Sequence, residues 1–206
     1  MLRQNGDMDL DALTTPPTPA GALALEVATR YLTPALLHHS VRSYAFARDH
    51  AERTGIVYDE ELLYVAALLH DIGLAPEFDS HTVAFEDAGG HVAWVFGAGA
   101  GWSAERRDRL SLAIVDHMRD EVDADADPEG TLLEISTSVD ISGRDATLWS
   151  DDVKRAVLGR YPRLDLGVEF VRCFQAQAHR KPDSAAAGAI RSGIADRIVV
   201  NPLEDY

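Results

Sequence analysis

The chain has 206 residues, and its 19 Lys and Arg against 34 Asp and Glu give a net charge of −15. A chain of this length can bury roughly 70% of its unfolded surface, so one domain forms a core without covalent staples. Its one cysteine, Cys173, excludes an internal disulfide and a cysteine-built zinc cluster. The acidic balance argues against nucleic acid or an anionic membrane as partner, because phosphates are met mainly by Lys and Arg.

Residues 1–20 end in Thr14-Thr15-Pro16-Pro17-Thr18-Pro19 and read as an extended or disordered tail. Residues 21–206 read as a single all-α domain, since no stretch alternates apolar and polar residues as a strand would. A first helix is predicted from Gly21 to Leu32, stopped by Thr33-Pro34 because the residue before a proline avoids helical angles. A second runs from Ala35 to about Thr54 and ends at Gly55. The third opens at Asp59, with Glu60 and Glu61 suited to a helix N-terminus. It carries the run Leu62 to Leu69 and stops around Gly73; a helix apolar all round belongs at the centre of a core.

A fourth helix is predicted from about Thr82 to Phe96, then a glycine-rich turn from Gly97 to Gly101. The fifth starts behind Ser103 as N-cap and reaches Met118. Asp120 to Gly130 reads as an acidic loop and Thr131 to Asp140 as a sixth helix. Residues 146–206 form a helical extension broken at Pro162 and Pro182. No apolar run approaches the roughly 20 residues that span a bilayer, and no signal-peptide pattern opens the chain, so a cytoplasmic protein is expected.

The third helix ends in His70-Asp71, two polar groups that cost several kcal/mol each if sunk without partners. Adjacent helical residues diverge by about 100°, so both reach one ligand only where the helix is ending, as Ile72-Gly73 provides. A lone His-Asp pair is usually a hydrogen-bonded helix terminus rather than a ligand pair. Here it has company. His39 lies on the preceding helix with Arg42 one turn on, and Asp140 follows the apolar-periodic stretch Leu132 to Val139. Two imidazoles and two carboxylates suit zinc, iron or manganese.

His39, then His70-Asp71, then Asp140 resembles the H…HD…D signature of the HD-domain superfamily of metal-dependent hydrolases, across a motif core of residues 35–145. Within it, the chain resembles the cyanamide hydratase-type branch. The likeness rests on His39-Ser40-Val41-Arg42 with Tyr44, on Tyr58 to Tyr64 leading into His70-Asp71-Ile72-Gly73, and on Phe85-Glu86 with Gly89-Gly90. Ala113 to His117, and Asp140 with Gly143, extend it. The resemblance implies a compact helical bundle and one divalent transition metal held by His39, His70, Asp71 and Asp140, zinc first, with iron or manganese as alternatives. The chain has Leu74 where many HD phosphohydrolases carry a lysine, and Glu86 where two-metal members add a histidine, which favours one metal.

Glu86 and His117 are the candidate catalytic residues, as relays of a proton to the substrate. Arg42, His38 and His81 are candidates to bind substrate or to support the ligands. A bound divalent ion lowers the pKa of its water toward roughly 7. The expected activity is therefore addition of water to a small substrate, by resemblance a nitrile-like group as in cyanamide converted to urea. The alternatives are phosphomonoester hydrolysis, which needs further cations for phosphate, and a non-catalytic metal-binding module. A small-molecule partner is expected; a homo-oligomer is left open.

Overall fold

The computed structural model describes residues 11, 14–119 and 121–206, and among them there is no strand. The helices are α1 (Pro19–Tyr31), α2 (Pro34–Thr54), α3 (Glu60–Leu69), α4 (Phe85–Gly99), α5 (Ala104–Asp116) and α6 (Pro128–Ser142). α7 (Asp151–Arg160), α8 (Leu166–Arg180), α9 (Ala185–Arg191) and α10 (Ile194–Val199) follow, with short 3₁₀ turns at Ile72–Leu74, Ala146–Leu148 and Pro202–Asp205.

α3 is the axis of the molecule. Every residue from Leu62 to Leu69 is buried, and α1, α2, α4, α5 and α6 all pack on it. α4 packs on α5, α2 on α6, and α8 on α9. Asp59 caps α3 by accepting from Leu62 N, and Thr33 caps α2 with Pro34 at its first position, so the chain turns sharply between α1 and α2.

Several boundaries differ from the sequence reading for local reasons. α1 begins at Pro19 because Thr18 caps it, accepting from Gly21 N at 3.1 Å. Thr18 also donates to Glu61 at 2.5 Å, and Thr14 is buried near Tyr64, so this part of the expected tail lies on the domain. Residues 1–10, 12 and 13 of that tail, and Asp120 of the acidic loop, lie outside the described residues.

α4 starts at Phe85 rather than Thr82, because Ser80 Oγ accepts from Thr82 N and Val83 N and holds those residues in a turn. Gly97 and Gly99 belong to α4, and the turn falls at Gly101, whose φ is +77°. α6 starts at Pro128, with Asp127 as its cap. At Gly73 there is no room for a Cβ: it would meet the Phe85 carbonyl, so glycine there lets the head of α4 seat on the turn after His70-Asp71.

Candidate metal centre

Four helices deliver polar groups to one buried point. His39 comes from the middle of α2, His70 and Asp71 from the end of α3, His117 from the end of α5 and Asp140 from α6. All five are buried, His39, Asp71 and Asp140 completely. The α3 helix stops at Leu69, and Asp71 sits at φ −97°, ψ 5°, so the backbone departs from the helix between the two neighbours. That break is what turns His70 and Asp71 toward one point.

His39 Nε2 and His70 Nε2 are 3.1 Å apart, and Asp71 Oδ2 is 3.5 Å from the first and 3.3 Å from the second. Among the described residues, His39, His70 and Asp71 are the one group of metal-ligating side chains whose donor atoms all lie within 4.8 Å of one another. The hydrogen bonds fix what faces inward. His39 Nδ1 donates to Asp140 Oδ2 at 2.6 Å, and His70 Nδ1 donates to the Ala67 carbonyl at 2.8 Å. Each ring therefore turns an unprotonated Nε2 toward the other when neutral. Neither Asp71 oxygen makes a hydrogen bond in this buried setting. Two facing lone pairs and an orphaned carboxylate repel one another, and a divalent cation between them removes the conflict. The residues fit a metal.

Burial works against the charged form of every group here. At His39 burial prevails over Asp140 and pulls the imidazole below its usual range. At His70 the adjacent Asp71 and the Ala67 carbonyl outweigh burial and raise it. Burial would lift Asp71, yet His70, His39 and His117 bring it down to about 2, so its carboxylate is ionised. His117 is driven down to about 3 by burial and by His70.

Asp140, the fourth residue of the expected ligand set, lies outside the close group of three. Its carboxylate accepts from Arg42 Nε at 2.9 Å and Arg42 Nη2 at 2.7 Å, from Arg163 Nη1 at 3.1 Å, and from His39 Nδ1. A carboxylate so engaged holds the His39 ring in place. Arg42, completely buried, reaches on to the carbonyls of Tyr161 and Pro162 at 2.9 and 3.1 Å.

His117 lies beside the group, its ring centroid 4.9 Å from that of His70. Its Nδ1 donates to the Ile114 carbonyl three residues back, the bond His70 makes to Ala67. Glu86 is buried but does not line the cavity over the triad; it lies against Lys181 and the Ala185 backbone, with Oε2 unpartnered and its carboxyl raised by burial. His38 is outside too, with Nδ1 against the Pro162 carbonyl at 2.8 Å and its ring edge-on to Tyr161. His81 is exposed on the loop before α4 and does not line the cavity.

Two supporting residues escaped the sequence reading. Arg163 donates to both the side chain and the carbonyl of Asp140 and is itself gripped by Glu204 at 2.7 Å. Asn201 Nδ2 donates to the Asp140 carbonyl at 2.9 Å and the Val139 carbonyl at 3.2 Å. Neither belongs to a periodic stretch. The one available signal was an arginine between Pro162 and Leu164, in a turn where Leu164 takes φ +55°.

The triad lies at the base of a cavity of about 840 Å³ whose wall includes Phe170 and Phe174 of α8. An all-helical bundle with a His, His-Asp group from its second and third helices is the architecture of HD proteins, and the chain belongs to the HD domain family, whose model matches residues 36–141. It is also similar to two curated proteins of Saccharomyces cerevisiae, cyanamide hydratase DDI2 and cyanamide hydratase DDI3. Each is 31% identical over an alignment of 179 positions, and the match covers 83% of this chain and 78% of the relative. The resemblance to the cyanamide hydratase-type branch thus extends well beyond the motif core. No helix among the described residues is long and apolar enough to cross a membrane.

Proposed function

We propose that the protein is a metal-dependent hydratase that adds water to the carbon of a nitrile-like group, as in the conversion of cyanamide to urea. The observation that carries this reading is the convergence of two imidazole lone pairs and an orphaned carboxylate at the base of an accessible cavity. The likeness to cyanamide hydratases supports the substrate class.

In this reading His39, His70 and Asp71 hold one divalent transition ion, zinc first, with iron or manganese as alternatives. His117 offers a fourth nitrogen, because its Nδ1–H is engaged by Ile114 and its Nε2 is free. Held there, the ion supplies acidified water at neutral pH. Asp140, fixed by Arg42 and Arg163, keeps the His39 tautomer that turns Nε2 inward. Phe170 and Phe174 shield one side of the cavity from bulk water. Water adds as hydroxyl to carbon and as a proton to the nitrile nitrogen, giving an isourea; transfer of the hydroxyl proton to that nitrogen then gives urea, with Glu86 outside the cavity taking no part in either step.

Phosphomonoester hydrolysis is the second reading: Arg42 is committed to Asp140, so a phosphate would have to be met by the arginines that line the cavity, Arg119, Arg144 and Arg197. A purely structural metal is disfavoured by the cavity that opens onto the triad. The test is metal analysis of purified protein, joined to cyanamide turnover read as urea and to release of phosphate from a generic phosphomonoester. Near-stoichiometric metal with urea formation is the expected result. Phosphate release without urea formation overturns the hydratase reading.

A further inference from the structure

The cavity is far larger than cyanamide needs. At about 840 Å³ it lies in the range of roughly 300–1,000 Å³ that holds drug-sized ligands. Its composition is graded. The triad lies at its base, Phe170, Phe174 and Ile194 give it apolar wall, and three exposed arginines, Arg119, Arg144 and Arg197, line it as well.

These arginines come from separate elements: Arg119 follows α5, Arg144 follows α6 and Arg197 lies on α10. Arg119 is paired with Asp116 at 2.9 Å, and Arg144 with Glu134. Arg197 bonds only to uncharged oxygens, the Ser192 carbonyl at 2.8 Å and the Ser192 hydroxyl at 3.3 Å. With Asp145 also 3.7 Å from Arg144, the carboxylates of Asp116, Glu134 and Asp145 answer two of the three guanidinium groups, and Arg197 is the one with no acidic partner. In a chain of net charge −15, a guanidinium without an acidic partner on a cavity wall is a local feature that favours an anion. A neutral molecule the size of cyanamide gains nothing from it, whereas a guanidinium fork is matched to the two oxygens of a carboxylate or phosphate.

We infer that the substrate of this site is an oxyanion-bearing molecule, larger than cyanamide, whose nitrile-like carbon reaches the triad while its carboxylate or phosphate is held by Arg144 and Arg197. The inference rests on the proposed hydratase reading for the reacting end alone; the oxyanion end rests on the arginines. The Phe170 and Phe174 wall takes the apolar length between the two.

The experiment uses the metal-loaded protein and three matched N-cyano compounds: one ending in a carboxylate, its neutral amide, and its phosphate-bearing counterpart. Wild-type kcat/KM should favour an oxyanion over the amide by about tenfold or more, the range of a charge-assisted hydrogen bond. The better of the two oxyanions identifies the group the site takes. The Arg144→Ala/Arg197→Ala double variant should bring that ratio close to one, and added salt should weaken it in the wild type.

Equal rates on oxyanion and amide in the wild type, or a preference that survives in the double variant, overturn the inference; survival would mean that the oxyanion binds at the triad itself. If nothing is turned over, the hydratase reading has failed, and calorimetric binding of the carboxylate compound still decides this one. Tighter binding than the amide, lost in the double variant, supports the oxyanion site. Equal binding overturns it.

Discussion

At Asp140 four nitrogen donors converge on one buried carboxylate, two from Arg42 and one each from Arg163 and His39. The result is a fixed tautomer at His39, because the site needs Nε2 aimed inward as much as it needs charge. His70 has a lighter support, one backbone carbonyl, and is the residue whose removal tests the centre most directly. His70→Ala should lose most of the bound metal, measured by elemental analysis. Chelation, which should lower the Tm of the wild type, should shift that of the variant little, since metal stabilises only the state that binds it. Glu86 yields a different prediction. Burial raises its carboxyl, so the folded protein resists an ionisation that the unfolded chain undergoes freely. Stability is therefore lost as pH rises from the unfolded pKa, about 4.3, through the folded one. Glu86→Gln should then unfold at higher urea than the wild type at pH 8, with the difference narrowing toward pH 4.5, and should keep its metal and turnover. A large loss of turnover would return Glu86 to the mechanism.

At the scale of elements, the short passage from α3 into the 3₁₀ turn does most to build the site. Leu62 to Leu69 drive α3 to the centre of the bundle, and the backbone break at Asp71 converts two neighbours in sequence into two groups at one point. Gly73 completes the passage by admitting the Phe85 carbonyl where a Cβ would stand. Gly73→Ala should cost about 1–3 kcal/mol in urea denaturation, as overpacking does. It should also weaken metal binding, because the head of α4 must shift away from the turn that carries Asp71. This passage was legible in the sequence, since an apolar run, a polar pair and a glycine sit within twelve residues of one another. The start of α4 was not: Ser80 captures two backbone N–H groups of a segment whose composition reads as helical.

At the scale of the whole molecule, the C-terminal extension belongs to the site although it holds no member of the triad. Arg163, Asn201 and Glu204 form a chain of contacts that ends on Asp140 and, through it, on His39. Arg163→Ala should therefore weaken metal affinity by about 10–100-fold, the usual cost of losing a residue behind a ligand. Competition with a chelator measures it, with the His39 imidazole proton resonance reporting the lost orientation. A variant with unchanged affinity would make Arg163 a packing residue only. Arg119, Arg144 and Arg197 illustrate the same principle on the cavity surface, for they lie up to 78 positions apart in the chain and line one pocket.

The sequence by itself determined the all-helical class, the central helix and the His70-Asp71 pair at its end, because each of these is written within a few turns of chain: periodicity decides what is buried, and a polar pair at a helix end decides where polar groups meet. It could not say that Asp140 would be claimed by Arg42 and Arg163, that Glu86 would lie behind the cavity wall, or that three arginines would gather at one cavity. Those outcomes depend on contacts across 23 to 99 residues of chain. A charged side chain's partner is fixed by which helices pack together, and packing is a property of the whole bundle rather than of any stretch within it.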